Sequence, residues 1–531
     1  MPPGLPPMAG ARRRHPGHRR GLVLVAVAVT VLVLAPLVFL IIRAIEVGWS
    51  ELSSLLFRHL TAVLLWNTIR LTVVVSALCA VIGVGAAWCI ERTDLPARRL
   101  LSALVVLPVA IPDFVVSFGW VSVAPAIHGF LGAVLVMTLA VYPLVYLPVA
   151  ASLRNSDPAQ EEVARSLGAG RWESFTRVTL RQVRPALLGG CLLVALAILA
   201  EYGAFEILRY QTFTTEIFTE FQQGFNAPAA SALSLVLVLL GLAVLISDGF
   251  ARDRGRLARV DRHAARAPRP RHLGGAVVPV SVGLWALVGL ALGVPVGTLL
   301  YWMLRGSSTT LPAAAGLLGA TLHTAGYSAA AAVVSTAMAL PVAVLSARRP
   351  GRATAALERA NFLIQALPGL VVALALVFFS VRYADFLYQS PVLLVFCYSV
   401  LFFPLALVCV RASVAQVPRG LEDVARSLGQ GRLAVWWRVS LPLVAPGLAA
   451  GACLVFLSAV TELTATLVLI PTNTETLATQ FWAFTGNLSY GAAAPYAAVM
   501  VVIAVGPSYI LGRWFDRRPT ATVLGPVGSR P

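Results

Sequence analysis

The chain has 531 residues, 58% of them hydrophobic and only 12% charged, with a mean hydropathy of +0.82. A typical soluble domain carries about 25% charged residues, so a water-soluble fold is excluded and lipid is the expected solvent. The formal net charge is +18 and all 41 basic residues are Arg; without a Lys there is no standard phosphate-binding loop for ATP and no Schiff-base chemistry.

In chain order, twelve apolar segments reach the roughly 20 residues that a bilayer requires. The first six are 21–43, 66–90, 100–124, 130–153, 186–206 and 229–249. The second six are 275–304, 320–346, 356–380, 390–412, 447–470 and 492–513. The first is longer than a signal-peptide core and lacks a small-residue cleavage site, which predicts a retained helix. Between the two sets, 250–273 is rich in Pro, Gly and charge and reads as a linker. The expected organisation is a basic tail 1–20, a first lobe 21–249, the linker 250–273, a second lobe 274–515 and a tail 516–531. The fold class is all-α, with about twelve transmembrane helices in two parallel six-helix repeats, because an even number of spans gives both halves one orientation.

Arginine placement predicts which side each loop faces. Arg12, Arg13, Arg14, Arg19 and Arg20 precede the first span, and Arg92, Arg98 and Arg99 follow the second. Eight arginines from Arg252 to Arg271 occupy the linker, and Arg513, Arg517 and Arg518 close the last span. All of these fall in the cytoplasm if both termini do. Segments 44–65, 207–228 and 471–491 are then outside; they are poor in Arg and carry Glu46, Glu51, Glu216, Glu220 and Glu475. The basic excess serves orientation and contact with anionic lipid; no separate basic domain exists for nucleic acid. The six cysteines all lie in apolar runs without a CxxC spacing, which predicts buried free thiols. The seven histidines show no metal-ligand spacing.

One loop occurs twice. Glu161–Pro185 reads EEVARSLGAGRWESFTRVTLRQVRP and Glu422–Pro446 reads EDVARSLGQGRLAVWWRVSLPLVAP, identical at 14 of 25 positions at a constant offset of 261 (422 − 161). That is an internal repeat. Val163 and Leu167 lie four apart on a short helix, Gly168 ends it, Gly170 permits a further turn, and Trp172, Phe175 and Val178 begin a second apolar stripe. A helix-turn-helix at the membrane surface, before Pro185 and the next span, is expected. A mere connecting loop accounts for one copy; an interaction surface used twice accounts for both.

The loop resembles the EAA motif of permeases in bacterial binding-protein-dependent ABC importers. Glu162-Val163-Ala164 with Gly168, and Asp423-Val424-Ala425 with Gly429, match that motif. Val replaces its first Ala, Asp423 its Glu, and Arg181 stands where the second copy has Pro442. The resemblance implies that Glu162, Ala164, Gly168, Asp423, Ala425 and Gly429 belong to coupling loops that dock on ATPase subunits. It further implies two copies of a cytoplasmic ATP-binding subunit, which hold the ATP, and an extracytoplasmic substrate-binding protein. No cofactor, metal or catalytic residue is expected in this chain. A bacterial plasma (inner) membrane location, multi-pass with both termini cytoplasmic, is implied. The fused two-lobe form is similar to the ferric-iron and thiamine branches. Ile111-Pro112, Leu367-Pro368, Thr461-Glu462-Leu463, Ala465-Thr466-Leu467 and Thr476-Leu477-Ala478-Thr479 resemble the ferric branch, so an iron importer permease is expected. A thiamine, other small-cation or organophosphonate importer, an ion-driven secondary transporter and a membrane-embedded enzyme stay open.

Three intramembrane acids are candidates for the translocation path. Glu201 and Glu462 match at offset 261 (462 − 201) in the outer part of the fifth span of each half; Asp113 follows Pro112 near the middle of the third span, opposite Gly369 in the repeat. A charge at the bilayer centre costs about 2.5–3.5 kcal/mol on insertion scales, which favours a cavity over lipid. Glu201 and Glu462 also read as helix-end charges, and Asp113 as a partner for backbone groups freed by Pro112.

Overall fold

The computed structural model describes residues 17–156, 159–253, 272–306, 312, 314–349 and 351–516. The regular elements among them are helices, as lipid demands: with no water to satisfy backbone N–H and C=O groups, a span must satisfy its own. Eight helices are long and apolar enough to cross a bilayer singly, and three more segments do so only as bent pairs. The last predicted segment is helix Tyr490–Asp516, whose apolar stretch Tyr490–Gly506 is shorter. Each of the twelve predicted segments therefore has a helical counterpart, but not each as an unbroken rod. Most of the 250–273 linker and the tail beyond 516 lie outside the described residues.

The breaks follow local chemistry. In the third segment Arg98–Ala110 and Asp113–Val123 meet at 96°, and in the ninth Arg352–Ala366 and Gly369–Tyr383 meet at 99°. Both bend at an X-Pro pair. Pro has no N–H and forces its predecessor out of helical geometry, and Ile111 (φ −96°, ψ 125°) and Leu367 (φ −93°, ψ 117°) are extended. The tenth segment bends by 55° between Pro391–Leu401 and Phe403–Gln416, with Pro404 in the first turn of the second helix. The fifth and eleventh predicted spans are also shorter at their far ends than expected. They stop at Ala200 and Val460, and the chain restarts as the short helices Gly203–Ile207 and Thr464–Leu469.

Lipid tails are as apolar as Leu, so helix association in a membrane relies on close packing, small residues and hydrogen bonds. Val145 sits between two glycines: a Cβ on Gly83 would lie 2.8 Å from Val145 Cβ, and one on Gly190 2.7 Å from Val145 Cα. Spans two, four and five of the first half pack there through backbone contact.

The two apolar cores do not coincide with the two halves of the chain. One gathers spans two to five of the first half together with Leu284, Val288 and Leu299 from Gly274–Arg305 and with Ala493 and Met500 from the last helix. The other gathers the second half's inner spans with Ala26, Val33 and Leu40 from Gly17–Val47 and with Leu233 and Leu237 from Ala227–Asp253. Each half thus lends its first and last helices to the other. Polar contacts fix the exchange. Buried Asn361 donates to Thr30 Oγ1 at 2.9 Å, Phe39 meets Phe379 edge-on at 5.7 Å, and Thr298 Oγ1 donates to the Gly119 carbonyl at 3.3 Å. Outside the spans, Asp94 receives the Leu273 N–H at 3.1 Å and contacts His272 Nδ1 at 2.6 Å, and these hydrogen bonds hold its carboxyl below the usual range.

Candidate coupling loops and the carboxylate junction

The repeated loops have the same structure in both halves. Helix Ala159–Ser166 and helix Arg419–Ser427 are each closed by a left-handed glycine, Gly168 at φ +91° and Gly429 at φ +82°. Gly168 N–H donates to the Arg165 carbonyl at 3.0 Å and Ala169 N–H to the Ala164 carbonyl at 3.1 Å; Gly429 and Gln430 repeat this on Arg426 and Ala425 at 3.1 and 3.2 Å. This pair of bonds is the Schellman closure, which satisfies carbonyls that a helix end leaves open. Ala164 and Ala425 therefore serve through their carbonyls. A Cβ on either glycine would meet no atom within 4 Å, so backbone angle alone requires glycine there.

The second helix of each expected helix-turn-helix is not separate from the membrane. Trp172–Ala200 and Leu433–Val460 are continuous spans, entered through one π-helical turn at Phe175–Thr179 and Trp436–Ser440. Pro185 and Pro446 lie inside these helices and do not start them. The loop helix is thus followed, after the glycine turn, directly by the fifth span of its half.

Glu162 and Asp423, the acids of the motif, point outward: both are exposed, and Asp423 pairs with its neighbour Arg426 at 2.5 Å. The acids that hold the loops are one residue earlier. Glu161 is buried and accepts from Thr179 Oγ1 at 2.6 Å. Glu422 accepts from Ser440 Oγ at 2.6 Å and forms a two-pronged pair with Arg348 from the end of helix Ala314–Arg348. The Arg348 pairing and the Ser440 bond hold the Glu422 carboxyl below its usual range. The sequence carries a signal for this: Glu161 and Glu422 are identical while the next position varies, and a hydroxyl recurs 18 residues on in both copies. The opposite face is apolar and uncovered. Leu167 is 82% and Leu428 78% exposed, with Val163, Trp172, Val424, Leu433 and Trp437 also exposed. Paired exposed apolar patches mark an interaction surface.

The three intramembrane acids occupy the helix breaks. Glu201 Oε1 accepts the Ala204 N–H at 2.7 Å, and Glu462 Oε1 accepts the Ala465 N–H at 2.9 Å. Each caps the short helix after its break, satisfying N–H groups otherwise orphaned at a helix start. Asp113 opens helix Asp113–Val123, where a negative charge suits the helix dipole. The Pro112 carbonyl is taken by Val115 and Val116 N–H, and among the described residues the Asp113 carboxylate makes no hydrogen bond to backbone freed by the proline, contrary to that expectation. The breaks converge. A Cβ on Gly203 would lie 2.7 Å from Leu463 Cδ2 and 3.0 Å from Phe114 Cβ, and one on Gly369 2.8 Å from Glu462 Oε1. Glu201 lies within electrostatic reach of Asp113 and Glu462. Around the junction Phe114 and Phe118 pack on Phe481 at 5.4 and 5.3 Å, and Tyr202 on Trp482 at 5.6 Å, all across the two halves. Among the described residues no three His, Cys, Asp or Glu side chains form a metal-ligand group.

Comparison with known proteins agrees with this geometry. The family model described as binding-protein-dependent transport system inner membrane component matches twice, at 79–254 and 339–520. The chain is 35% identical over 483 residues to an Fe(3+)-transport system permease protein of Haemophilus influenzae, covering 90% of this chain and 95% of that protein. It is 30% identical over 266 residues to a sulfate transport system permease protein of Escherichia coli, 46% of this chain and 95% of the relative. A ferric transport system permease protein of Actinobacillus pleuropneumoniae is 22% identical over 405 residues, 71% of this chain and 57% of the relative. These matches decide against the secondary transporter and the membrane enzyme, and the partners that the family implies are an ATPase and a substrate-binding protein. The chain belongs to the binding-protein-dependent transport system inner membrane components: it is a multi-pass, non-enzymatic ABC importer permease with two copies of the family's domain in one polypeptide.

Proposed function

We propose that this chain is the permease of a ferric-ion importer, forming the path itself and taking its energy from two copies of a cytoplasmic ATPase subunit that hold the ATP. The observation that carries the substrate is the 35% identity, along 90% of this chain, with a permease named for Fe(3+) transport. The carboxylate junction supports it: Asp113, Glu201 and Glu462 gather where four broken spans meet, and a cation is drawn to clustered negative charge most strongly where water is excluded. Two exposed apolar loop faces suit two ATPase subunits, one per half, and the short connection of each loop to its fifth span, with the Glu161–Thr179 and Glu422–Ser440 bonds, carries loop motion toward Glu201 and Glu462. An extracytoplasmic binding protein delivers the ion to the opposite face. Both termini are cytoplasmic in this reading, which the arginine-rich ends support. The test is uptake of labelled ferric ion into proteoliposomes holding the permease, its ATPase and its binding protein. Glu201→Gln with Glu462→Gln keeps size and an acceptor for each cap, so uptake is expected to fall strongly while binding-protein-stimulated ATP hydrolysis persists. Wild-type ferric uptake by the double variant removes the path role; uptake of a thiamine-like cation instead of ferric ion removes the substrate.

A further inference from the structure

The second half contains a small cavity among hydroxyl-bearing residues. It lies beside Glu462, and Thr324, Tyr327, Ser328, Tyr398 and Thr476 line it together with that residue. Its volume, about 10 Å³, is that of one water-sized guest. Ser328 is 1% exposed and its Oγ has no hydrogen-bond partner. A buried hydroxyl without a partner is costly, and Ser328 lines a space large enough for one. Glu462 gives Oε1 to the Ala465 N–H, and the Thr464 N–H also bonds its carboxylate. Ala459 and Val460, the last residues of helix Leu441–Val460, complete the wall, and a helix C-terminus is a partial negative charge.

The first half carries different residues at the matching positions. Thr68 Oγ1 accepts the Phe213 N–H just as Thr324 Oγ1 accepts the Leu477 N–H, so the two helices align at an offset of 256 (324 − 68). Tyr327 then corresponds to Leu71 and Ser328 to Thr72; at the fifth-span offset of 261, Thr466, the partner of Tyr398 OH at 2.5 Å, corresponds to Phe205. Leu71 and Phe205 are fully buried, and Thr72 Oγ1 is satisfied by the Thr68 carbonyl at 2.8 Å. The cavity is therefore not a by-product of the repeat.

We propose that this cavity is a resident binding site for one small monovalent cation of sodium size, held by Glu462 with the Ser328 and Tyr327 hydroxyls. A water satisfies Ser328 alone; a cation answers the carboxylate, the helix C-terminus and the hydroxyl lone pairs together. All the lining donors are oxygens, the hard ligands that alkali and alkaline-earth ions take. A calcium ion takes six to eight oxygens, often several of them carboxylate, and a magnesium ion keeps its waters; one carboxylate in a water-sized space suits a single charge. Broken membrane helices are where such ions bind, through unwound backbone and helix C-termini. The bound ion ties the break before helix Thr464–Leu469 to helix Ala314–Arg348.

The experiment uses the full chain in nanodiscs of phosphatidylethanolamine and phosphatidylglycerol, with the unfolding midpoint followed by tryptophan fluorescence in NaCl, KCl or N-methyl-D-glucamine chloride at equal ionic strength. A saturable rise of the midpoint in Na⁺ over N-methyl-D-glucamine, absent or smaller in K⁺, is expected. Ser328→Ala and Tyr327→Phe should each weaken the apparent Na⁺ affinity by about tenfold or more, whereas Thr72→Ala in the first half should leave it unchanged. Equal wild-type midpoints in Na⁺ and N-methyl-D-glucamine overturn the proposal, as does a Na⁺ response that survives in both cavity variants.

Discussion

Gly168 and Gly429 show how little of a residue's role need be contact. Nothing lies within reach of a Cβ at either position, yet both hold φ above +80°, where an L-residue pays roughly 1–2 kcal/mol. Asn enters that region at less cost than other residues. Gly168→Val with Gly429→Val is therefore expected to reach the membrane but lose most transport, and the Asn pair to retain more; uptake at matched expression separates them. Glu422, about two turns before Gly429, acts by charge. Glu422 is held below its usual carboxyl range by Arg348 and Ser440, so its contribution to loop stability is present above the unfolded carboxyl value and is lost as pH falls through the lowered one. Hydrogen exchange of 419–440 should rise on acidification through that interval, and Glu422→Gln should remove this pH dependence. The motif acids Glu162 and Asp423 stay exposed while Glu161 and Glu422 hold the loop.

At the scale of the element, broken spans carry the chemistry. A continuous helix hides every backbone group, whereas a break frees several at once, and the capping carboxylates of Glu201 and Glu462 answer part of that need. Gly369→Ala tests the coupling between two breaks, since its Cβ would lie 2.8 Å from Glu462 Oε1 and push the carboxylate off the Ala465 N–H. Loss of a cap costs about 0.5–2 kcal/mol. In a thermal double-mutant cycle Gly369→Ala should cost this much alone and almost nothing in a Glu462→Ala background; equal costs in both backgrounds would show that the two residues act separately. The loop helices make the complementary case: Glu161 and Glu422 tie them to the span while their apolar face stays open. Leu167→Asp with Leu428→Asp is expected to leave the permease folded but to abolish co-purification of the ATPase subunit.

At the scale of the whole molecule, the exchange of first and last helices makes each core a joint product of both halves. Neither half can fill its core alone, because Ala26, Val33 and Leu40 complete one and Leu284, Val288 and Leu299 the other. A chain cut within 254–271 and co-expressed as two pieces should therefore assemble and transport, while either piece alone should be degraded; pull-down of one tagged piece measures this directly. Fusion in one polypeptide also lets the halves differ, as Tyr327 and Thr466 near Glu462 and their buried counterparts Leu71 and Phe205 do.

The sequence by itself determined the solvent, the twelve segments, the repeat and its closing glycines. These depend on composition over about 20 residues or on near-neighbour backbone geometry, both written locally. It also marked Pro112 and Pro368, though the 96° and 99° bends belong to three-dimensional packing as much as to the missing N–H. Only the tertiary structure decided that Glu161 and Glu422 anchor the loops, because the choice between adjacent acids depends on which one a hydroxyl 18 residues away can reach. Only it brought Asp113, Glu201 and Glu462 to one junction and sent the first and last helices to the opposite core. Those outcomes depend on contacts between segments up to hundreds of residues apart, and an apolar helix in lipid reads the same whichever neighbour it packs against.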